Sequence, residues 1–310
     1  MMFAIGFSIG SASTIGTVKG AMARVFNFTS GTLPNGISYS RNSPATQFDI
    51  AGHMSNVAND VPRFSFDPII AQSVGLLVEN ERTNILPHAI ATRNDWSRSG
   101  ATVTDLTLDA LGYFPGVSVI SGGQNWHRIL DHATLIANQV YAVTMLYRAG
   151  SSGMAAVTLK DGTSGAASSI SGSIGMLAAE NASAGPVSQL TETLLSDGLT
   201  YRCTLLYTPN FSGSFNIGFG PDSKTAGEDV ILLGMQMEPA SDASSFILST
   251  NAATIRAADQ VGIVGVTGLH DVLITYGDNS QELLQAQSIA DGYWPNMTQN
   301  TVKQIALTAL

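Results

Sequence analysis

The chain is short of charge, of cysteine and of long apolar runs, and each shortage excludes a class of protein. Charged residues make up 12% of the sequence, about half the usual share, which argues against long helices with solvated charged faces. Lys and Arg number 14 against 23 Asp and Glu, and no basic cluster occurs. A phosphate-neutralising surface for nucleic acid is therefore excluded. The one cysteine, Cys203, precludes an internal disulfide. It lies in the alternating run Tyr201-Arg-Cys-Thr-Leu-Leu-Tyr207, which predicts a buried thiol and no nucleophile. No glycine motif of the phosphate-cradling kind is present.

What the sequence does hold is glycine, 31 of 310 residues, with abundant Ser, Thr, Ala and Asn. That is the profile of a turn-rich, all-β protein of extracellular or virion type, long enough for one to three domains. Residues 1–24 read as an N-terminal anchor, in which Phe3, Ile5, Phe7 and Ile9 alternate with other uncharged residues. The run is too short and broken for a membrane span, and no basic residue precedes Lys19 as a signal peptide would require. An apolar tail is costly in water, which predicts docking into another protein; a disordered start is the alternative.

Residues 25–90 read as an extended β connector punctuated by Pro34, Pro44, Pro62 and Pro68. Arg63, between aromatics flanked by proline, is placed to stack or to pin a strand edge. The connector ends on Gly75-Leu-Leu-Val-Glu-Asn-Glu-Arg-Thr-Asn-Ile-Leu86, the stretch around which the rest is organised. Leu76, Leu77 and Val78 suit a short strand, and Glu79, Glu81 and Arg82 crowd a polar corner. That corner is either a cross-brace at a junction or a solvated turn.

Residues 91–250 carry a period-two alternation that predicts a jelly-roll β-sandwich. Its candidate strands are Ala101–Thr104, Val117–Ile120, Trp126–Leu130, Gln139–Tyr147, Met154–Leu159, Leu199–Tyr207, Phe215–Phe219 and Val230–Met237. Residues 150–185, rich in Gly, Ser and Ala, predict a mobile loop or weak edge. Residues 251–310 read as a small β-rich domain. Within it a hairpin of Val261–Val266 and Asp271–Tyr276 is expected around Thr267-Gly268. One or two helical turns over Ser280–Ser288 and a last strand over Val302–Leu307 complete it.

Three motifs, Ser40-Arg-Asn-Ser-Pro-Ala-Thr46, the Gly75–Leu86 stretch and Ile255-Arg-Ala-Ala-Asp259, together resemble tailed-phage structural proteins. Tail-fibre, head-fibre and gene-transfer-agent spike proteins are of this kind. Asp197-Gly-Leu-Thr-Tyr-Arg-Cys-Thr204 and Leu233-Gly-Met-Gln-Met-Glu-Pro239 resemble late strands of carbohydrate-binding modules. The resemblance covers residues 38 to 310 and departs from the module in the aromatic-poor stretch 150–190. It implies a protein on the surface of a virion, with other virion proteins as partners and host surface polysaccharide as a further step.

For glycan binding the candidate loop is Gly122-Gly-Gln-Asn-Trp-His-Arg128, which offers Gln124, Asn125, Trp126, His127 and Arg128. An aromatic platform flanked by amides and charges suits a sugar ring and its hydroxyls. Tyr113 and Phe114 form a second platform. The competing reading sends Trp126 into the core as its strand begins, and Trp96 and Trp294 are expected as core residues. Glu79 and Glu81 face opposite ways in an extended chain, a poor acid/base pair for glycoside cleavage, so no enzyme is expected. His127, Asp131 and His132 lack a third ligand. No cofactor is expected, although the Asp222–Asp229 loop suits a structural calcium. Three functions compete: a spike or fibre subunit gripping polysaccharide, a purely structural decoration or connector protein, and a glycan depolymerase. A symmetric homo-oligomer is expected, with neither nucleic acid nor membrane as partner.

Overall fold

Alternating apolar and small polar residues, interrupted by glycine-centred turns, drive this chain into strands. The computed structural model describes residues 24–106 and 115–310, and every regular element among them is a strand. The N-terminal anchor residues Phe3, Ile5, Phe7 and Ile9, and the Tyr113–Phe114 platform, lie outside the described residues.

Two six-stranded antiparallel sheets face each other across the main core. One carries, in order, Val187–Leu194, Thr200–Tyr207, Tyr141–Ala149, Asp229–Glu238, Val117–Ile120 and Thr102–Asp105. The other carries Ala178–Ala182, Ala167–Ser173, Met154–Asp161, Gly213–Gly220, Arg128–Leu135 and Ser97–Ser99. Val117–Ile120, Arg128–Leu135, Tyr141–Ala149 and Met154–Asp161 follow one another in the chain and alternate between the sheets. Every strand read from the alternation is present, so the fold is an all-β sandwich as expected. The stretch 150–185 forms strands too, and its outermost one, Ala178–Ala182, is exposed along its whole length. Lacking large apolar residues, it occupies a sheet edge.

The inner face of Tyr141–Ala149 packs Tyr141, Val143, Met145 and Tyr147 against Phe215, Ile217 and Phe219. Its outer face is buried as well. Leu146 packs there with Met54, Ala89, Leu195, Leu233 and Phe246, so the chain before the sandwich covers one of its sheets. Each large apolar side chain so buried contributes about 1.5–3 kcal/mol. Trp96 fills the main core as expected, and Cys203 is buried there with its thiol pKa pushed up by desolvation and then by Glu192. Trp294 is half-buried, edge-on to Phe28.

The third sheet joins the two ends of the chain. Its order is Gln281–Ile289, Gly268–Tyr276, Thr301–Ala309, Ser73–Leu77 and Arg63–Phe66, and Arg24–Asn27 also pairs with Thr301–Ala309. Phe26, Phe28, Leu76, Val272, Ile274, Ile305 and Leu307 share its core. Residues 25–90 and 251–310, expected as separate units, thus contribute strands to one sheet.

Two local expectations are corrected. Ser280–Ser288 is not helical: Gln281–Ile289 pairs with Gly268–Tyr276 after a turn in which Asn279 has φ 69° and Asp278 accepts the Ser280 N–H at 2.8 Å. The ladder overrides the helix-forming composition. The hairpin around Thr267-Gly268 does not form, because Gln260–Ile263 pairs instead with the distant strand Ile37–Ser40.

Candidate functional site

The Gly122–Arg128 loop leaves one sheet after Val117–Ile120 and enters the other at Arg128–Leu135. The strand therefore starts two residues later than the expected Trp126, which sits instead in a turn closed by the His127 N–H to the Gln124 carbonyl at 3.1 Å. Trp126 is 53% exposed, which overturns the alternative that it plugs the core. Gln124 and Asn125 beside it are exposed too.

His127 is buried and acts as the peg under this loop. Its Nδ1 accepts the Gly122 N–H at 2.8 Å, and its ring stands edge-on to Trp126 with centroids 4.5 Å apart. The peg requires glycine around it: a Cβ on Gly100 would lie 2.2 Å from the His127 ring. Ser121 ties the base of the loop to its neighbour, donating its hydroxyl to the Ser223 carbonyl at 3.0 Å. Arg128 lies half-buried along the sheet's outer face, where Gly218 leaves it room, and its Nη1 reaches the Ala156 carbonyl at 3.4 Å. Of the named glycan candidates, then, Gln124, Asn125 and Trp126 face solvent, His127 holds the loop from below, and Arg128 is partly engaged.

The second constellation is the polar corner, and its partners are not those adjacent in sequence. Glu79 pairs with Arg63 at 2.7 Å and with Arg256 at 3.4 Å, while Glu81 is exposed and Arg82 pairs with Asp242 at 2.7 Å. Asp259 accepts from Tyr39, from Arg41 at 3.1 Å, from Arg63 and from the Glu79 N–H at 2.8 Å. Ser245 completes the set, donating its N–H and hydroxyl to Glu79 at 2.8 and 2.6 Å. The three motifs of the sequence thus converge on one buried ion network. Arg63 and Asp259 have side chains fully removed from solvent.

Burial alone would raise the Glu79 pKa, but Arg256, Arg63 and the Ser245 hydrogen bonds outweigh it and hold it at about 2. Such a carboxylate stays ionised and is a weak base, unsuited to general acid/base work. Tyr39 is pushed up by burial and by its bond to Asp259. Charges so enclosed are strong only as a complete set, since removing one partner strands the others.

The other His and Asp residues singled out in the sequence have partners of their own. Asp131 is buried and meets His88 at 3.4 Å and His132 at 3.8 Å, while His127 points away to the glycine slot. In the Asp222–Asp229 loop, Asp229 accepts the hydroxyls of Ser118 at 2.6 Å and Ser151 at 2.7 Å. Among the described residues no group of three or more His, Cys, Asp or Glu is arranged to hold a metal ion. No protein-family model matches the chain, and no curated protein matches it either.

Proposed function

We propose that this chain is a non-catalytic virion-surface adhesin, a spike or fibre subunit that grips host surface polysaccharide on the Gly122–Arg128 loop. The observation that carries this reading is Trp126, an indole more than half exposed on a loop whose backbone is fixed from beneath by His127 and Ser121. An exposed ring of that size gains from being covered, and the C–H face of a sugar is a fitting cover. Gln124 and Asn125 supply amides for hydroxyls. Consecutive strands that alternate between the two sheets support a jelly-roll reading, the architecture of many lectin-type domains. Assembly as a homo-oligomer would multiply weak contacts into useful avidity. The reading calls for no cofactor, membrane or nucleic acid.

The experiment is Trp126→Ala, assayed for retention on an array of bacterial surface polysaccharides and for melting temperature. A stacked ring contributes on the order of 1–2 kcal/mol, so retention should weaken about ten-fold or more. The melting temperature should move by no more than about 2 °C, as for other surface substitutions. Wild-type protein that is retained by no polysaccharide would sink the adhesin reading. It would favour a purely structural decoration or connector protein, for which the buried ion network is the supporting feature.

A further inference from the structure

A cleft of about 750 Å³ opens where the chain leaving the sandwich meets the loop Trp294–Asn300, and Arg82, Asp242, Arg256 and Trp294 line it. Clefts of this size between packed units are where small ligands bind. Arg82 and Arg256 are register partners on the short antiparallel ladder Arg82–Asn84 with Thr254–Arg256, so both guanidiniums rise from one face. Like charges placed directly opposite each other are unfavourable unless something negative lies over them.

The hydrogen bonding around the cleft is unbalanced in one direction. Arg256 is 1% exposed and donates Nη2 to the Asn80 carbonyl at 3.0 Å; its Nη1 has only the ion pair with Glu79 at 3.4 Å, without hydrogen-bond geometry, and its Nε has no acceptor. Arg82 gives Nη2 to Asp242 at 2.7 Å, and its buried Nε has no acceptor. The indole Nε1 of Trp294 is likewise buried and unpartnered. Every orphaned side-chain polar atom among the described residues lining this cleft is a donor. The carboxylates that line the cleft are already taken, Glu79 by Arg63 and Arg256, Asp259 by Arg41 and Arg63 from behind the lining, and Asp242 by Arg82.

We propose that this cleft binds an oxyanion, the carboxylate or phosphate group of a small ligand, with Arg82 as the contacting residue. Arg82 keeps 26% of its side chain exposed and among the described residues its guanidinium pairs with Asp242, itself 67% exposed, which leaves it able to turn toward a ligand. Arg256 lies behind it and supplies positive potential, and Asn296 and Asn300 at the exposed rim are placed to bond the rest of the ligand. Guanidinium recognition of carboxylate or phosphate is the strong, charge-assisted kind. This site does not depend on the role given to Trp126.

The test uses the full chain, with sodium glucuronate, inorganic phosphate and neutral glucose compared at constant ionic strength by calorimetry and thermal shift. Glucuronate or phosphate should bind and raise the melting temperature, while glucose should do neither. The stronger of the two anions identifies the source of the group. Arg82→Gln should weaken binding about ten-fold or more with little change in the melting temperature of the free protein. Asp242→Asn should tighten it, because the carboxylate that competes for Arg82 is gone, and Trp126→Ala should leave it unchanged. The proposal is overturned by wild-type protein that binds neither anion at millimolar concentration or binds glucose equally well. It is also overturned if Arg82→Gln has no effect or if Asp242→Asn weakens binding.

Discussion

At the scale of single residues the protein invests most in Glu79 and Asp259. Each gathers donors from segments that local sequence does not connect, with Arg41 lying 218 residues from Asp259 and Arg63 lying 196 residues from it. Asp259→Asn should therefore destabilise the protein by roughly 3–5 kcal/mol, because buried Arg41 would lose its charge partner and Arg63 would keep only Glu79. Chemical denaturation at neutral pH measures this, and a loss below about 1 kcal/mol would contradict the network's role. Acid should act through Glu79. Its folded pKa of about 2 lies below the ordinary 4.5, so its contribution is present above the unfolded value and is lost as pH falls from about 4 toward 2. The contribution is about 3 kcal/mol by linkage. Glu238 acts in the opposite sense, since burial raises its pKa and its protonation on acidification relieves a cost. Glu79→Gln should therefore lower stability at pH 7 and flatten the acid limb; an unchanged limb would show that other carboxylates govern it.

At the scale of elements the sensitive point is the pairing of Ser73–Leu77 with Thr301–Ala309. Gly75 has φ 83°, and a Cβ there would lie 2.1 Å from the Val302 carbonyl oxygen. Gly75→Ala should cost at least about 2 kcal/mol, from backbone strain together with a displaced strand. Gly198 is the control, with φ 68° and nothing within 4 Å of where a Cβ would stand. Its alanine variant should cost only the strain, about 1 kcal/mol. Equal losses in thermal denaturation would mean that the two strands are not in close contact. Conversely, Gln281–Ile289 shows pairing winning over composition: its Glu, Leu, Gln and Ala would suit a helix, yet a neighbouring strand and a tight turn at Asn279 settle it as a strand.

At the scale of the whole molecule, Thr301–Ala309 is the element that joins the ends of the chain. Gly268–Tyr276, Ser73–Leu77 and Arg24–Asn27 all pair with it. Deleting residues 301–310 should open this sheet and leave the sandwich, which has a core of its own. Limited proteolysis should then cut within 24–90 and 260–300 while the sandwich strands between residues 115 and 238 stay protected. Equal protection of the truncated and full chains would refute that dependence.

What the sequence determined by itself was whatever depends on neighbours along the chain. Period-two alternation placed the sandwich strands, and low charge with turn-forming glycine marked the all-β class. The alternating apolar run around Cys203 foretold its burial. The motifs holding Arg41, Glu79 and Asp259 were visible as motifs, but their purpose was not, because an ion pair is chosen by which side chains share a low-dielectric space and not by spacing. Only the tertiary structure decided that Glu79 pairs with Arg63 and Arg256 rather than Arg82. It likewise decided that Trp126 stays outside: the His127 peg and the glycines around it occupy the space beneath the loop. Burial and pairing are properties of the assembled surface, and a local pattern carries burial most plainly where the two faces of an element differ in fate.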